Sequence, residues 1–147
     1  MLPAFQAGGD LPPGVHRATL HETLGRFGVG SVQRVAIAQR LARTYALAAT
    51  TGHLARFIVF GSFVTAKPDP NDVDLFLLID DTFDVGQMAG EARLLFDHAA
   101  AQAHFGASVF WLRRLAALGG EQATAEHWQI RRDGGLRGIV EIVPEAA

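Results

Sequence analysis

Two apolar segments joined by a turn-rich connection constrain the fold of this chain more than any other feature. The first covers residues 56–60 and ends at Gly61-Ser62, and the second covers residues 73–79. Pro, Asp and Asn, which favour turns, are frequent in the connection. Both segments have the length and apolar character of buried strands. We therefore expect a sheet that helices or another layer cover on its faces.

Two aspartates stand at the start of the second segment. Asp72 and Asp74 are two residues apart, and such residues share a face in an extended strand. Their charges would repel each other, and a divalent cation between them would relieve the repulsion, because carboxylate oxygens suit Mg²⁺ or Mn²⁺. Gly61 and Ser62 would let a phosphate approach backbone N–H groups without obstruction by a Cβ. This pattern predicts a metal–nucleotide site; the alternative is a solvated strand start beside an ordinary turn.

Two residues of the connection are further candidates for nucleotide binding. Lys67 is the only lysine of the chain and could reach a triphosphate as a point charge. Thr65 is placed similarly. The alternative for each of them is a solvated loop residue.

The composition excludes several classes of protein. A net charge of −2 gives no global electrostatic reason to expect binding to nucleic acid or to an anionic membrane. The chain has no cysteine, which excludes disulfides and thiolate zinc sites. The N-terminus lacks the basic start and apolar core of a signal peptide, and no apolar run is long enough to span a bilayer. We expect a cytoplasmic protein, with no membrane association and with one domain over residues 1–147.

Periodicity and capping signals predict the remaining elements. Residues 1–17 are rich in Gly and Pro and predict an irregular N-terminal arm. A capping box at Thr19 predicts a helix through Phe27, and Ser31 can cap a second helix that ends near Gly52. The apolar stripe of that second helix is predicted to consist of Val32, Val35, Ala36, Leu41, Ala42, Tyr45 and Ala46.

The second half of the chain adds a helix, a strand and a hairpin. Asp84 can cap a helix that ends at Gly106, and residues 107–112 predict a short strand. A short helix is expected over residues 121–126, followed by a hairpin with strands at 127–132 and 136–143. The predicted fold class is α+β, a small mixed β-sheet with helices packed on it.

Gly-Ser at the end of one strand and, after a gap of nine residues, Asp-Val-Asp opening the next strand resemble the signature of the polymerase β-like nucleotidyltransferase superfamily. Gly61 and Ser62 match its Gly-Ser, and Asp72 and Asp74 match its metal-binding pair. The resemblance implies the nucleotidyltransferase fold. A longer pattern, which includes 11–16, 61–67 and 137–142, resembles a family of small bacterial nucleotidyltransferase-like proteins, some of them thought to lie near toxin–antitoxin or phage-defence genes.

The resemblance also implies a third carboxylate on a later strand, which helps to bind one of two metals and to activate an acceptor hydroxyl. The strand at 107–112 carries no acid, and Ser108 stands where an aspartate is expected. Glu141, a carboxylate within an otherwise apolar strand, is the candidate replacement; the alternative is a hydrogen-bonded or edge-facing glutamate.

These observations predict a minimal nucleotidyltransferase that binds Mg²⁺ (or Mn²⁺) and a nucleoside triphosphate. It would transfer a nucleoside monophosphate to a hydroxyl of a protein or RNA acceptor. The alternative is a non-catalytic module that acts as an antitoxin-type protein partner or as a nucleotide sensor. Trp111 and Trp128 are expected in the core, with base stacking as the alternative. Five arginines of the last third could form a surface for an anionic ligand or a partner, with solvated strand ends as the alternative: Arg113, Arg114, Arg131, Arg132 and Arg137.

Overall fold

A single five-stranded mixed sheet organises the chain in a computed structural model that describes residues 2–145. Met1 and the last two residues of the predicted domain 1–147 lie outside the described residues. The strands are β1 (Val15–Thr19), β2 (Leu54–Phe60), β3 (Val73–Ile79), β4 (Ala107–Arg113) and β5 (Ile139–Val143). The helices are α1 (Leu20–Phe27), α2 (Val32–Thr50), α3 (Glu91–Leu94), α4 (His98–Phe105) and α5 (Glu121–His127). This arrangement confirms the predicted α+β class with a mixed sheet.

The order of the strands brings distant parts of the chain to one edge of the sheet. The order is β1-β5-β2-β3-β4, with β2 antiparallel to β5 and β3, and with β1 and β4 parallel to their neighbours. The end of β2 and the starts of the other four strands therefore lie at the same edge. Phe60 is opposite Asp74, and Asp74 is opposite Ser108.

Alternating residues of the strands pack into two separate apolar layers. One face of β2 and β3 contributes residues such as Phe57 and Leu75 to the main core, which helix α2 covers with Ile37 and Leu41. The other face carries Ile58, Phe76 and Leu78, which Ala125 of α5 and Trp128 cover. Both faces are thus buried, as the apolar strands predict.

Several of the local helix and strand signals are confirmed. Thr19 and Glu22 form the capping box of α1, and the Ser31 side chain accepts a hydrogen bond from the Arg34 amide at the start of α2. Gly106 ends α4 in the left-handed conformation, with φ at 66°. The strand predicted at 107–112 and the short helix at 121–126 are also present as β4 and α5.

The predicted apolar stripe of α2 was wrong for several of its members. Val32 is 89% exposed and Val35 is 46% exposed. The buried face is rotated by about one residue, which is roughly 100° around the helix. It consists of Arg34, Ile37, Ala38, Leu41, Thr44 and Ala48. The stripe was misplaced because a charged residue, Arg34, belongs to the buried face.

Three other predictions were wrong in part. The irregular arm ends earlier than predicted, because residues 15–19 pair with β5 from the far end of the chain. The helix predicted from Asp84 to Gly106 is broken at Gly90, whose φ of 67° and ψ of −154° are not helical. The predicted hairpin is reduced to β5 and one bridge between Ile130 and Leu136, because helical turns continue beyond α5 through Ile130, whose amide donates to the His127 carbonyl.

No helix within the described part of the chain combines the length and apolar character that crossing a bilayer requires.

Candidate functional site

A cavity of about 920 Å³ lies at the sheet edge where β2 ends and β3 and β4 begin. It brings together five of the residues that the sequence predicts for the site: Gly61, Ser62, Lys67, Asp72 and Asp74. Thr65 and Glu141 do not line it. Its other lining residues are Phe60 at the end of β2, Asn71 before β3, and residues of α4, β4 and the segment 128–137.

Asp72 and Asp74 lie on the same side of the sheet. Ser108 is the neighbour of Asp74 across the β3–β4 pair, and its hydroxyl donates a hydrogen bond to Asp72 Oδ2 at 3.1 Å. The serine therefore stands beside both carboxylates, at the position where the resemblance implies a third acid. A hydroxyl group is neutral, so the negative charge at this point comes from the two aspartates.

Burial raises the pKa of Asp74 to about 6, and the nearby charge of Asp72 adds to this effect. The Ser108 hydroxyl and the positive charges of Arg132 and Arg137 oppose it. A carboxyl group with this pKa is still mostly ionised at pH 7 and takes up its proton as the pH falls through about 6. A bound cation would favour the charged form, because an opposite charge nearby lowers the pKa of an acid.

Gly61 follows β2 directly and can be only a glycine in this arrangement. Its φ of 80° and ψ of −164° lie outside the region that residues with a side chain adopt readily. A Cβ on Gly61 would also overlap Asp74 Oδ2. The missing side chain thus lets the Asp74 carboxylate pack against the backbone of the turn.

Thr65 stabilises the loop after Gly61 and Ser62 instead of facing the cavity. Its hydroxyl donates to the Ser62 carbonyl at 2.6 Å and accepts from the Lys67 amide at 3.1 Å. The side chain of Thr65 is buried, whereas that of Lys67 is exposed. The structure therefore separates the two predicted nucleotide-binding residues of the loop: Lys67 lines the cavity, and Thr65 positions the backbone.

Arg34 is a residue of the site region that the sequence reasoning missed. Arg34 is only 6% exposed, and its guanidinium donates to the carbonyls of Phe63, Thr65 and Lys67 in the loop, and to that of Phe27. Burial lowers the pKa of Arg34, and the charge of Asp69 opposes this shift. Four carbonyl oxygens thus take the place of a carboxylate partner, and the arginine fixes the shape of the loop.

Three of the five C-terminal arginines line the cavity: Arg131, Arg132 and Arg137. Asp10 of the N-terminal arm accepts hydrogen bonds from Arg131 at 2.9 Å and from Arg137 at 3.0 Å. Its side chain is 15% exposed, and the sequence reasoning did not identify it. The other two arginines lie elsewhere: Arg113 donates to the Phe83 carbonyl, and Arg114 pairs with Glu121.

Glu141 does not complete the site. Its carboxylate forms two hydrogen bonds with Arg56, at 3.0 Å from Nε and 2.6 Å from Nη2, and it lines a different cavity. It is opposite Ile58, whereas Asp74 is opposite Phe60, two residues further along β2. Strand spacing and rise put the Cα atoms of Glu141 and Asp74 roughly 12 Å apart. The ion pair with Arg56 accounts for a carboxylate within an apolar strand.

The carboxylates of Asp72 and Asp74 suit a Mg²⁺ ion that is held together with substrate phosphates. Within residues 2–145, no three His, Cys, Asp or Glu side chains come together as a complete metal site. Mg²⁺ rarely needs such a cage, because it keeps several waters and takes one or two carboxylates together with substrate phosphates. Asp72 and Asp74 supply such a pair beside a glycine turn and a group of cationic side chains.

The chain belongs to a family of unknown function, DUF6932, whose profile matches residues 3–143. The match covers every strand and helix described above, and the residues of the cavity lie within it. No curated protein and no solved structure matches the chain.

Proposed function

We propose that this protein binds the Mg²⁺ complex of a nucleoside triphosphate in the cavity at the sheet edge. The observation that carries the proposal is the packing of the Asp74 carboxylate against Gly61, where a side chain would overlap it. This contact joins the two halves of the sequence signature in one place. Asp72 and Asp74 would hold the metal, which would supply positive charge to the phosphates.

The charges around the aspartates suit a polyphosphate. Lys67, Arg131, Arg132 and Arg137 line the same cavity, and Asp133 is the only other acid that lines it within residues 2–145. Arginine and lysine side chains are strong donors to phosphate oxygens. In this proposal Gly61 and Ser62 offer the backbone of the turn to the terminal phosphates, and Lys67 contributes a point charge.

The presence of Ser108 in place of an acid favours a non-catalytic role, as a nucleotide sensor or an antitoxin-type partner protein. A two-metal reaction uses a further acid to hold the second ion and the attacking oxygen, and here a neutral hydroxyl occupies that position. Glu141 is engaged with Arg56 in another cavity. Binding of the nucleotide would then change an interface with a protein partner without any chemical step.

Nucleotidyl transfer is the second candidate function, and the resemblance to the polymerase β-like superfamily supports it. An acceptor hydroxyl of a protein or RNA would form a bond to the α-phosphorus, and the bond from the α-phosphorus to its bridging oxygen would break. Pyrophosphate would leave, and the hydroxyl proton would pass to a solvent base. The acceptor or a partner would have to supply the third carboxylate, which Ser108 does not provide.

Calorimetric titration tests the binding proposal. We expect ATP or another nucleoside triphosphate to bind in the presence of Mg²⁺, and to bind much more weakly after chelation or in the Asp72→Asn/Asp74→Asn variant. Asp133→Asn, at an exposed acid of the same cavity, serves as the control and should keep metal-dependent binding. Absence of metal-dependent binding in the native protein would contradict the proposal.

Label transfer separates the two roles. The protein is incubated with α-labelled triphosphates, with Mg²⁺ or Mn²⁺, alone and with total RNA or the products of neighbouring genes. Binding without pyrophosphate release or labelled product supports the sensor. Labelled product that disappears in the Asp72→Asn/Asp74→Asn variant supports transfer.

A further inference from the structure

Four aromatic rings line the part of the cavity that lies beyond the aspartates. They belong to Phe60, His98, Phe110 and Trp128. The ring centroid of Trp128 is 4.6 Å from that of Phe60 and 5.2 Å from that of Phe110. The ring centroid of His98 is 4.9 Å from that of Phe110. The interplanar angles of these three contacts lie between 34° and 40°, so the rings form a continuous wall.

Phe110 and His98 are the exposed members of this aromatic wall. Phe110 is 39% exposed, although Trp128 packs against it. A phenyl ring left open to water inside a cavity is unfavourable unless a ligand covers it, since burial of an aromatic ring is a large source of binding free energy.

The position of Phe110 relative to the aspartates is fixed by the sheet. Phe110 follows Ser108 by two residues on β4, so the two side chains share a face and lie about 7 Å apart along the strand. Phe76 stands in the same relation to Asp74 on β3 and is paired with Phe110. The cavity therefore has a charged end at Asp72 and Asp74. Its aromatic end lies two residues further along strands β3 and β4.

We propose that the aromatic wall stacks against the base of the bound nucleotide. The inference rests on the proposed function for the location of the phosphates, and it adds that the ligand is recognised as a nucleoside and not as a polyphosphate alone. A molecule with anionic phosphates at one end and a flat heterocycle at the other matches the two ends of the cavity. The stacking surface consists of the exposed rings of Phe110 and His98, which contact each other, and Trp128 packs against Phe110.

Gln102 adds polar recognition next to the stacking surface. It lies on α4 one turn after His98, is exposed, and lines the cavity. Within residues 2–145 its side-chain amide makes no hydrogen bond. An amide can donate and accept at once, which suits the edge of a base.

The two tryptophans of the chain allow the wall to be observed directly. Trp111 lies away from the cavity, where its indole donates to the Phe96 carbonyl at 3.0 Å. In a Trp111→Phe variant, Trp128 is the only tryptophan. We expect Mg²⁺–ATP to change the fluorescence of Trp128, and Mg²⁺–tripolyphosphate to change it much less. The Trp128→Phe variant, which keeps Trp111, should show little change with either ligand.

Affinities test the same inference independently. Base stacking on an aromatic side chain favours binding by a factor of roughly ten or more, so ATP should bind that much more tightly than tripolyphosphate in the presence of Mg²⁺. Phe110→Leu, which keeps apolar volume but removes the aromatic face, should bring the affinity for ATP close to that for tripolyphosphate. Circular dichroism checks that each variant is folded.

Leu112→Ala is the matched control. Leu112 is the next residue on the same face of β4 and is 38% exposed, but it does not line the cavity. We expect this variant to bind ATP as the native protein does. An equal loss in Phe110→Leu and Leu112→Ala would overturn the inference and indicate a general surface effect.

The outcomes distinguish the two proposals. Equal binding of ATP and tripolyphosphate, unaffected by Phe110→Leu, would overturn the base site and leave metal-dependent phosphate binding intact. Absence of binding for both ligands would overturn the proposed function and the base site with it. Tighter binding of ATP that is lost in Phe110→Leu but kept in Leu112→Ala supports both.

Discussion

At the scale of single residues, the contact between Gly61 and Asp74 is the most demanding feature of the site. A side chain at Gly61 would have to adopt a φ of 80° and would overlap the carboxylate. We predict that Gly61→Ala lowers the free energy of unfolding by about 3 kcal/mol, because backbone strain and a steric collision add together. Urea denaturation measures this difference.

Gly90→Ala is the control for the collision. Gly90 has nearly the same backbone conformation, with φ at 67° and ψ at −154°, but no atom stands within 4 Å of the position of its missing Cβ. This variant carries only the backbone strain and should lose about 1 kcal/mol. Equal losses of stability in the two variants would show that the overlap with Asp74 adds nothing to the effect of Gly61→Ala.

The second prediction at this scale concerns the pH dependence of stability. The pKa of Asp74 is about 6 in the folded protein and about 3.8 in the unfolded chain. The folded state therefore binds more protons between these values, and stability falls as the pH rises through them. Asp74→Asn should remove this loss, so that the metal-free variant is more stable than the native protein by about 1–2 kcal/mol at pH 8.

The difference in the free energy of unfolding between Asp74→Asn and the native protein should nearly vanish at pH 4, where Asp74 is protonated in the folded state. Added Mg²⁺ should reduce it at pH 8, because a cation stabilises the charged form. Urea denaturation at both pH values, with and without a chelator, measures all four conditions. A variant that is less stable than the native protein at pH 8 in chelator would contradict the cause given for the pKa of Asp74.

At the scale of secondary-structure elements, the sequence predicts what local patterns determine. The predicted bounds of β3 agree with the structure, and the capping box of α1 is present, because apolar runs and caps act over a few residues. Gly61, Ser62, Lys67, Asp72 and Asp74 come together because the two strands that carry them are adjacent.

The parts that the sequence reasoning missed depend on partners far along the chain. Strand β1 is short and pairs only with β5, more than a hundred residues later. Glu141 looked like a spare carboxylate because its partner, Arg56, lies on a neighbouring strand. The buried face of α2 was predicted wrongly because a hydrophobic pattern treats arginine as an exposed residue, whereas Arg34 is buried. Its signal was periodicity, since Arg34, Ile37 and Leu41 are spaced as one face of a helix.

Arg34 also provides the prediction at this scale. Its planar group reaches four carbonyl oxygens at once, and a lysine ammonium cannot reproduce that pattern. Arg34→Lys should lower the free energy of unfolding by about 2–4 kcal/mol, because buried carbonyls lose their donors. Hydrogen exchange should become faster at the amides of residues 64–67, which the loop contacts hold in place.

The same substitution at Arg43 is the control. Arg43 lies on the same helix, but its side chain is 55% exposed and its partner is Glu91 on the surface. Exposed ion pairs contribute little to stability, so Arg43→Lys should change the free energy of unfolding by less than about 0.5 kcal/mol. Similar effects of the two substitutions would show that Arg34 does not hold the loop.

At the scale of the whole molecule, the cavity depends on contacts between the two ends of the chain. The arm packs against the segment before β5, where the Gly138 amide donates to the Leu11 carbonyl and the Ile139 amide to that of Gly14. Asp10 adds the two arginine contacts. Part of the wall of the site is therefore made by residues that are far apart in sequence, which is why local patterns could not reveal it.

Asp10→Asn tests this long-range support. The amide keeps the shape of the side chain but loses the charge that holds Arg131 and Arg137, so we expect the free energy of unfolding to fall by about 1–3 kcal/mol. Hydrogen exchange should become faster across residues 131–137, while β2 and β3 stay protected. Asp133→Asn is the control, because Asp133 also pairs with Arg131 but its side chain is 65% exposed. That variant should lose much less stability than Asp10→Asn, because exposed ion pairs contribute little. If Asp10→Asn leaves exchange at 131–137 unchanged, the backbone contacts alone hold this wall, and the arm has no electrostatic part in shaping the site.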